Sequence, residues 1–164
     1  MANRPVVYWD SDAFLALING DKDGADLQGC NDVWTAADKG LLHIITSTLT
    51  TAEVIHKKGT PKLDPSKRPL VSNFFRQHFI SQKPLTREIA EGARDVVWDC
   101  GIMPKDAIHV ATAAAFRILE LHTFDRELLA AKTITVAGFT LQICKPHASA
   151  QSEIPLEDTN KSNE

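Results

Sequence analysis

Five acidic positions in this chain have the type and placement to do chemistry together. Asp10 directly follows the apolar run of residues 4–9 (RPVVYW), and Asp12 stands two residues beyond it. Asp125 directly follows residues 118–124 (ILELHTF). Glu53 lies one to two turns into the helical stretch after residues 41–46 (LLHIIT), and Asp106 lies in the first turn of residues 104–115 (PKDAIHVATAAA). Carboxylates brought together repel, by roughly 3 kcal/mol for a pair about 5 Å apart at an effective dielectric near 20. The usual outcomes are raised pKa values or a bound divalent cation. Oxygen ligands without a companion His or Cys cluster point to Mg²⁺ or Mn²⁺ rather than zinc. Such a cation, with a basic surface nearby, suits phosphodiester hydrolysis, because it lowers the pKa of a bound water and steadies charge on phosphoryl oxygens. Each acid alone also has a bland reading. Asp10 and Asp125 read as helix caps, Asp106 as a carboxylate matching the helix dipole, and Glu53 as part of a half-exposed helix face.

Convergence requires a fold that carries these positions to one rim. Residues 4–9 are β-branched and aromatic and read as a buried strand. Residues 11–20 and 24–40 read as helices stopped by Gly20 and Gly40, and residues 41–46 as a second strand. A hydroxyl at Ser47 or Thr48 caps a helix running to Gly59. The three prolines of residues 60–69 mark a loop. Helices follow at 70–79 and 87–101, with a short strand between them at residues 80–86. The apolar helix at 104–115, a strand at 118–125 and a last strand at 140–144 complete the domain. Alternating strands and helices imply an α/β domain with a mainly parallel sheet, whose sites form beyond the carboxyl ends of the strands.

The 164 residues favour one domain, and 43% hydrophobic with 24% charged residues is ordinary for a soluble protein. The formal net charge of -3 excludes a basic nucleic-acid binder as a whole. The charge is uneven, however. From His56 to Arg87 there are eight Lys and Arg against one acid, Asp64. Lys57, Lys58, Lys62 and Arg68 are therefore candidates to meet a polyanion. Cys30, Cys100 and Cys144 are too few and scattered for a disulfide framework or a zinc motif and read as reduced core thiols. No signal or membrane-spanning pattern stands out, so a cytoplasmic location is expected. Residues 147–164 are polar and read as a frayed tail behind a domain of residues 1–146.

Four blocks, VVYWDSDAFLALI, ITSTLTTAEV, PKDAIHVATA and LHTFD, resemble in order and spacing the motifs of PIN-domain ribonucleases, nearest to the VapC-like toxins of toxin–antitoxin pairs. AGFTLQICKP is similar to that family's closing strand. The resemblance implies a three-layer α/β/α sandwich around a central parallel sheet, and Mg²⁺- or Mn²⁺-dependent cleavage of RNA. It places Asp10, Glu53, Asp106 and Asp125 on the family's four metal-site acids. It matches Thr123 to a hydroxyl often found just before the last acid. Ser47 and Thr50 match hydroxyls ahead of the helical Glu and read as caps. Asp12 stands where the family commonly has Asn or Ser, which adds negative charge. An antitoxin protein and a homodimer are implied partners, with no membrane.

Other residues are read as structural. His109, one turn past Asp106, reads as a packed, hydrogen-bonded side chain. Trp9 and Trp98 read as core, with Trp34 open. Two other functions compete. One is a PIN-like module that binds RNA or protein without cutting. The other is a haloacid-dehalogenase-type phosphatase, whose opening Asp-x-Asp matches Asp10 and Asp12 but which has no use for Glu53 or the DAIHVATA block.

Overall fold

The computed structural model describes residues 3–55 and 59–148. Lys57 and Lys58 and residues 149–164 of the expected tail lie outside the described residues. The strands are β1 (Val6–Trp9), β2 (His43–Ser47), β3 (Ile80–Lys83), β4 (Glu120–His122), β5 (Thr133–Val136) and β6 (Phe139–Cys144). The helices are α1 (Ser11–Asn19), α2 (Gly24–Asp38), α3 (Thr48–Glu53), α4 (Arg68–Phe75), α5 (Arg87–Cys100), α6 (Pro104–Ala115) and α7 (Arg126–Ala131). The strands form one sheet in the order β3-β2-β1-β4-β6-β5, parallel except for β5.

Side-chain alternation along β1 divides the core into two layers. Val7 and Trp9 face Phe14, Cys30, Val33 and Ala37 of α1 and α2. Tyr8 faces the other way, with Leu121, Leu141 and Ile143, onto Ile89, Val96, Ala107 and Val110 of α5 and α6 and Leu128 of α7. The result is a three-layer α/β/α sandwich. The small residues of α6 let it approach closely: Ala107, Val110, Ala111, Ala113 and Ala114 are buried. Ile108 is only half-buried and Ala115 is exposed, so the helix's inner face is narrower than its apolar composition suggests.

Several expectations change. The helix expected to reach Gly59 ends at Glu53, because Val54 leaves helical geometry. α7 and β5 were absent from the sequence reading. α7 is a short helix capped by Asp125, and β5 is an antiparallel partner of β6 across the two-residue link Ala137–Gly138. Trp98 is 74% exposed rather than core, and Cys100 is exposed too, because both lie on the outer side of α5. Trp34 packs in the core against Trp9, Phe74 and Phe79.

Strand order fixes where a site can form. The chain moves outward from β1 through β2 to β3, then crosses to β4 on the other side of β1. The winding therefore reverses between β1 and β4, and crevices of α/β sheets open beyond the carboxyl ends at such a point.

Candidate active site

Asp10 and Asp125 leave β1 and β4 at this reversal. Trp9 and His122 are register partners, and the Asp10 amide donates to the His122 carbonyl at 3.3 Å. Asp10 is the N-cap of α1, its Oδ1 accepting from the Ala13 amide at 3.2 Å. Its Oδ2 accepts a short hydrogen bond from the buried Thr123 hydroxyl. Thr123 Oγ1 also accepts from the Asp125 amide at 2.9 Å, so one hydroxyl joins the two acids' turns. Asp125 caps α7 through Oδ1 and the Leu128 amide at 2.9 Å. The capping readings of both residues therefore hold, and capping is also what aims the two carboxylates at the rim.

Glu53 arrives from the other side of β1. Ser47 ends β2 and caps α3, its Oγ accepting from the Leu49 amide at 3.1 Å, and Thr50 is held by Thr46 at 2.7 Å. The last residue of that short helix is Glu53, whose side chain is 13% exposed. Its Oε2 meets His109 Nε2 at 2.6 Å and its Oε1 lies 3.5 Å from Lys105 Nζ. His109 is buried, and its Nδ1 lies 2.7 Å from the Tyr8 hydroxyl. With Tyr8 donating to Nδ1, the ring donates from Nε2 to Glu53. His109 is thus packed and hydrogen-bonded, as its helix implied, but its partner is a site acid. Sequence reading passed over this relay and over Lys105, although spacing held a signal: both flank Asp106 on α6. Asp106 itself stands in the first turn of a helix that has no side-chain cap.

The electrostatics tie the acids into one group. Burial, and then the neighbouring Asp12 charge, push Asp10 up to about 7. Burial, and then Asp125, push Asp106 up to about 6, with Glu53 and Asp12 adding to the effect. Burial alone would raise Glu53, but the His109 hydrogen bond and charge and then Lys105 outweigh it and hold the carboxyl below its usual range. Burial works against a charge on His109, yet Glu53, Asp10 and Asp106 together raise its pKa. Asp10, Asp12, Glu53, Asp106 and Asp125 therefore share one neighbourhood, and Thr123 lies within it. Lys62 is exposed on the stretch that leads into α4, and Arg68 is exposed as its first residue. Among the described residues, Lys105 lies beside the acids, 3.5 Å from Glu53 Oε1.

An oxygen-only donor set, with two carboxyls raised by burial and mutual repulsion, fits a hard divalent cation. Among the described residues, the group of His, Cys, Asp or Glu side chains whose ligand atoms all come within 4.8 Å of one another is a different one, Glu120, His122, Cys144 and His147. Among the acids, Glu53 is held by His109 and Asp10 by Thr123.

Among solved structures, the crystal structure of Mycobacterium tuberculosis VapC20, described as a sarcin–ricin-loop-cleaving toxin, matches with a TM-score of 0.59 at 16% identity, covering 76% of this chain and 94% of that chain. At that identity the likeness speaks for the fold. No curated protein matches the sequence. The family model of the PIN domain matches residues 7–133, a span that runs from β1 to the start of β5 and contains all five acids. With that span and this sheet, the chain belongs to the PIN-domain family.

Proposed function

We propose that the protein is a divalent-metal-dependent endoribonuclease that hydrolyses RNA phosphodiester bonds, and that it is the toxin of a toxin–antitoxin pair. The observation that carries this reading is the convergence of Asp10, Glu53, Asp106 and Asp125 at the winding reversal, with Asp10 and Asp106 both raised. These four residues would hold Mg²⁺ or Mn²⁺, with Asp12 as an accessory acid. A cation bound there supplies charge neutralisation at the phosphoryl oxygens and a more acidic water. The chain's own groups do the rest. Thr123 holds Asp10, His109 and Lys105 hold Glu53, and the apolar packing of α6 fixes Asp106. Lys57, Lys58, Lys62 and Arg68 would bind the phosphate backbone, which the acids alone would repel. The similar toxin agrees with the toxin branch, and the family resemblance implies the proposed antitoxin partner and homodimer, with a cytoplasmic site of action. Among the described residues, no helix is long and apolar enough to cross a membrane.

The test is RNA cleavage in Mn²⁺ or Mg²⁺ by the parent and by Asp10→Asn. The parent should cut and the variant should fall to background with its fold intact. RNA binding without cutting by the parent would instead identify an inactive binding module. An acid-labile phosphorylated Asp10 would identify a phosphatase.

A further inference from the structure

A second group of ligand-type side chains lies on the α1–α2 face of the sheet. Register pairs Trp9 with His122 and His122 with Cys144, so the three side chains share that face, and Glu120 joins them two residues before His122. The segment after β6 brings His147 onto the same spot. Its course is built into α2. Lys145 Nζ bridges both Asp26 oxygens at 3.1 and 3.2 Å, and a Cβ at Gly29 would stand 2.0 Å from the Pro146 carbonyl oxygen. Only glycine lets this strap lie so close. His147 Nε2 then sits 3.4 Å from Glu120 Oε2, and the His122 and His147 ring centroids are 5.3 Å apart.

Proton positions sort the four residues. The indole N–H of Trp9 can only donate, and it points at His122 Nδ1 at 3.1 Å. The neutral His122 ring must then carry its proton on Nε2, which faces Glu120 Oε2 at 3.2 Å. His122 is therefore a donor that fixes the Glu120 carboxylate rather than a ligand. Three groups remain free to converge on an ion: a carboxylate, a sulfur and an imidazole. We propose that Glu120, Cys144 and His147 bind a thiophilic divalent cation of the Zn²⁺ class, with His122 as the positioning residue for Glu120, and that the ion pins the strap of residues 145–148 to the sheet. Sulfur and imidazole ligands select such an ion over Mg²⁺ or Mn²⁺. Tetrahedral zinc needs ligand atoms about 3.3–3.6 Å apart. The ligand atoms of Glu120, Cys144 and His147, together with that of His122, already lie within 4.8 Å of one another, so small side-chain turns close the gap. On binding, the Cys144 thiol loses its proton to solvent and His147 enters neutral. The fourth position stays open to solvent, which reaches the site through the half-exposed His147.

The experiment titrates the full chain with Co²⁺, reading the near-ultraviolet thiolate-to-metal absorption, and then displaces the Co²⁺ with Zn²⁺. The parent should develop one such band, and Zn²⁺ should remove it. Cys144→Ser should lack the band, and His147→Ala, at an exposed position, should weaken Co²⁺ affinity at least tenfold with the fold kept. Gly29→Ala changes no ligand residue but displaces the strap that carries His147, and should weaken affinity comparably. Asp106→Asn should keep the band, which separates this site from the acidic one. A parent without a thiolate band overturns the proposal, and so does a band that survives Cys144→Ser or an affinity unchanged by His147→Ala.

Discussion

Asp106 and His109, three residues apart on α6, act on stability in opposite directions. Asp106 is pushed up from an ordinary 3.8 to about 6, chiefly by burial and then by Asp125. A carboxyl raised on folding contributes stability that is full below its unfolded pKa and lost as pH rises through its folded pKa. In chelator, Asp106→Asn should therefore melt above the parent at pH above about 6, and the difference should close below about pH 4. A carboxylate serving only the helix dipole would give the opposite sign, a loss of about 0.3–1 kcal/mol. Melting curves across that pH range decide between them, and cleavage should be lost in the variant throughout. His109→Ala should act differently. It removes a hydrogen bond to a charged, nearly buried Glu53, worth about 1.5–3 kcal/mol. It also leaves that proposed ligand unpositioned, a change that typically costs 10–100-fold in metal affinity or activity. Denaturant melts and cleavage rates over a Mn²⁺ titration would show lower stability together with a higher Mn²⁺ requirement. An unchanged Mn²⁺ requirement would reduce His109 to a packing residue.

Short elements do much of the positioning. α3 is six residues long, and its brevity puts Glu53 at a helix end, where His109 and Lys105 can reach it. α7 is equally short and exists around its Asp125 cap. The β5–β6 hairpin turns at Ala137 (φ 48°) and Gly138 (φ 80°), two successive left-handed residues between the paired Val136 and Phe139. Such two-residue turns prefer Asn-Gly, because an alanine in that region is strained whereas Asn tolerates it. Ala137→Asn should stabilise the protein by about 0.5–1 kcal/mol. That corresponds to a rise of about 1–4 °C in Tm for a chain of this size, with cleavage unchanged. A fall in Tm would mean that the turn is held by contacts other than its own backbone preference.

The whole molecule carries a formal charge of -3, yet its proposed substrate is a polyanion. Attraction must then be local, and the basic stretch from His56 to Arg87 is its proposed source. Each phosphate neutralised on a single strand contributes about 0.7 to the slope of log affinity against log salt. Replacing Lys57, Lys58, Lys62 and Arg68 together with Ala should flatten that slope by up to about 3 and weaken RNA binding at low salt, with metal affinity nearly kept. A variant that binds RNA as well as the parent at every salt concentration would make this stretch a solvated loop.

The residue types and spacings were enough to single out the acids that the fold brings into one neighbourhood. A strand's carboxyl end is visible where an apolar run stops at an aspartate, as at Asp10 and Asp125, and helical phase places Asp106 in a first turn. They were enough, too, for the α/β class and its parallel sheet, since periodicity reports which face of an element is buried. Periodicity does not report which distant element covers that face. The Tyr8–His109 bond spans 101 positions in sequence and the His109–Glu53 bond spans 56, and both depend on β1 lying between β2 and β4 with α6 across them. The same strand order set Trp9 against His122 and His122 against Cys144, a grouping that three scattered cysteines and a histidine near the tail gave no sign of. Exposure of Trp98 is a decision of the same kind, because an apolar residue on an amphipathic helix is core only if a neighbour arrives on its side.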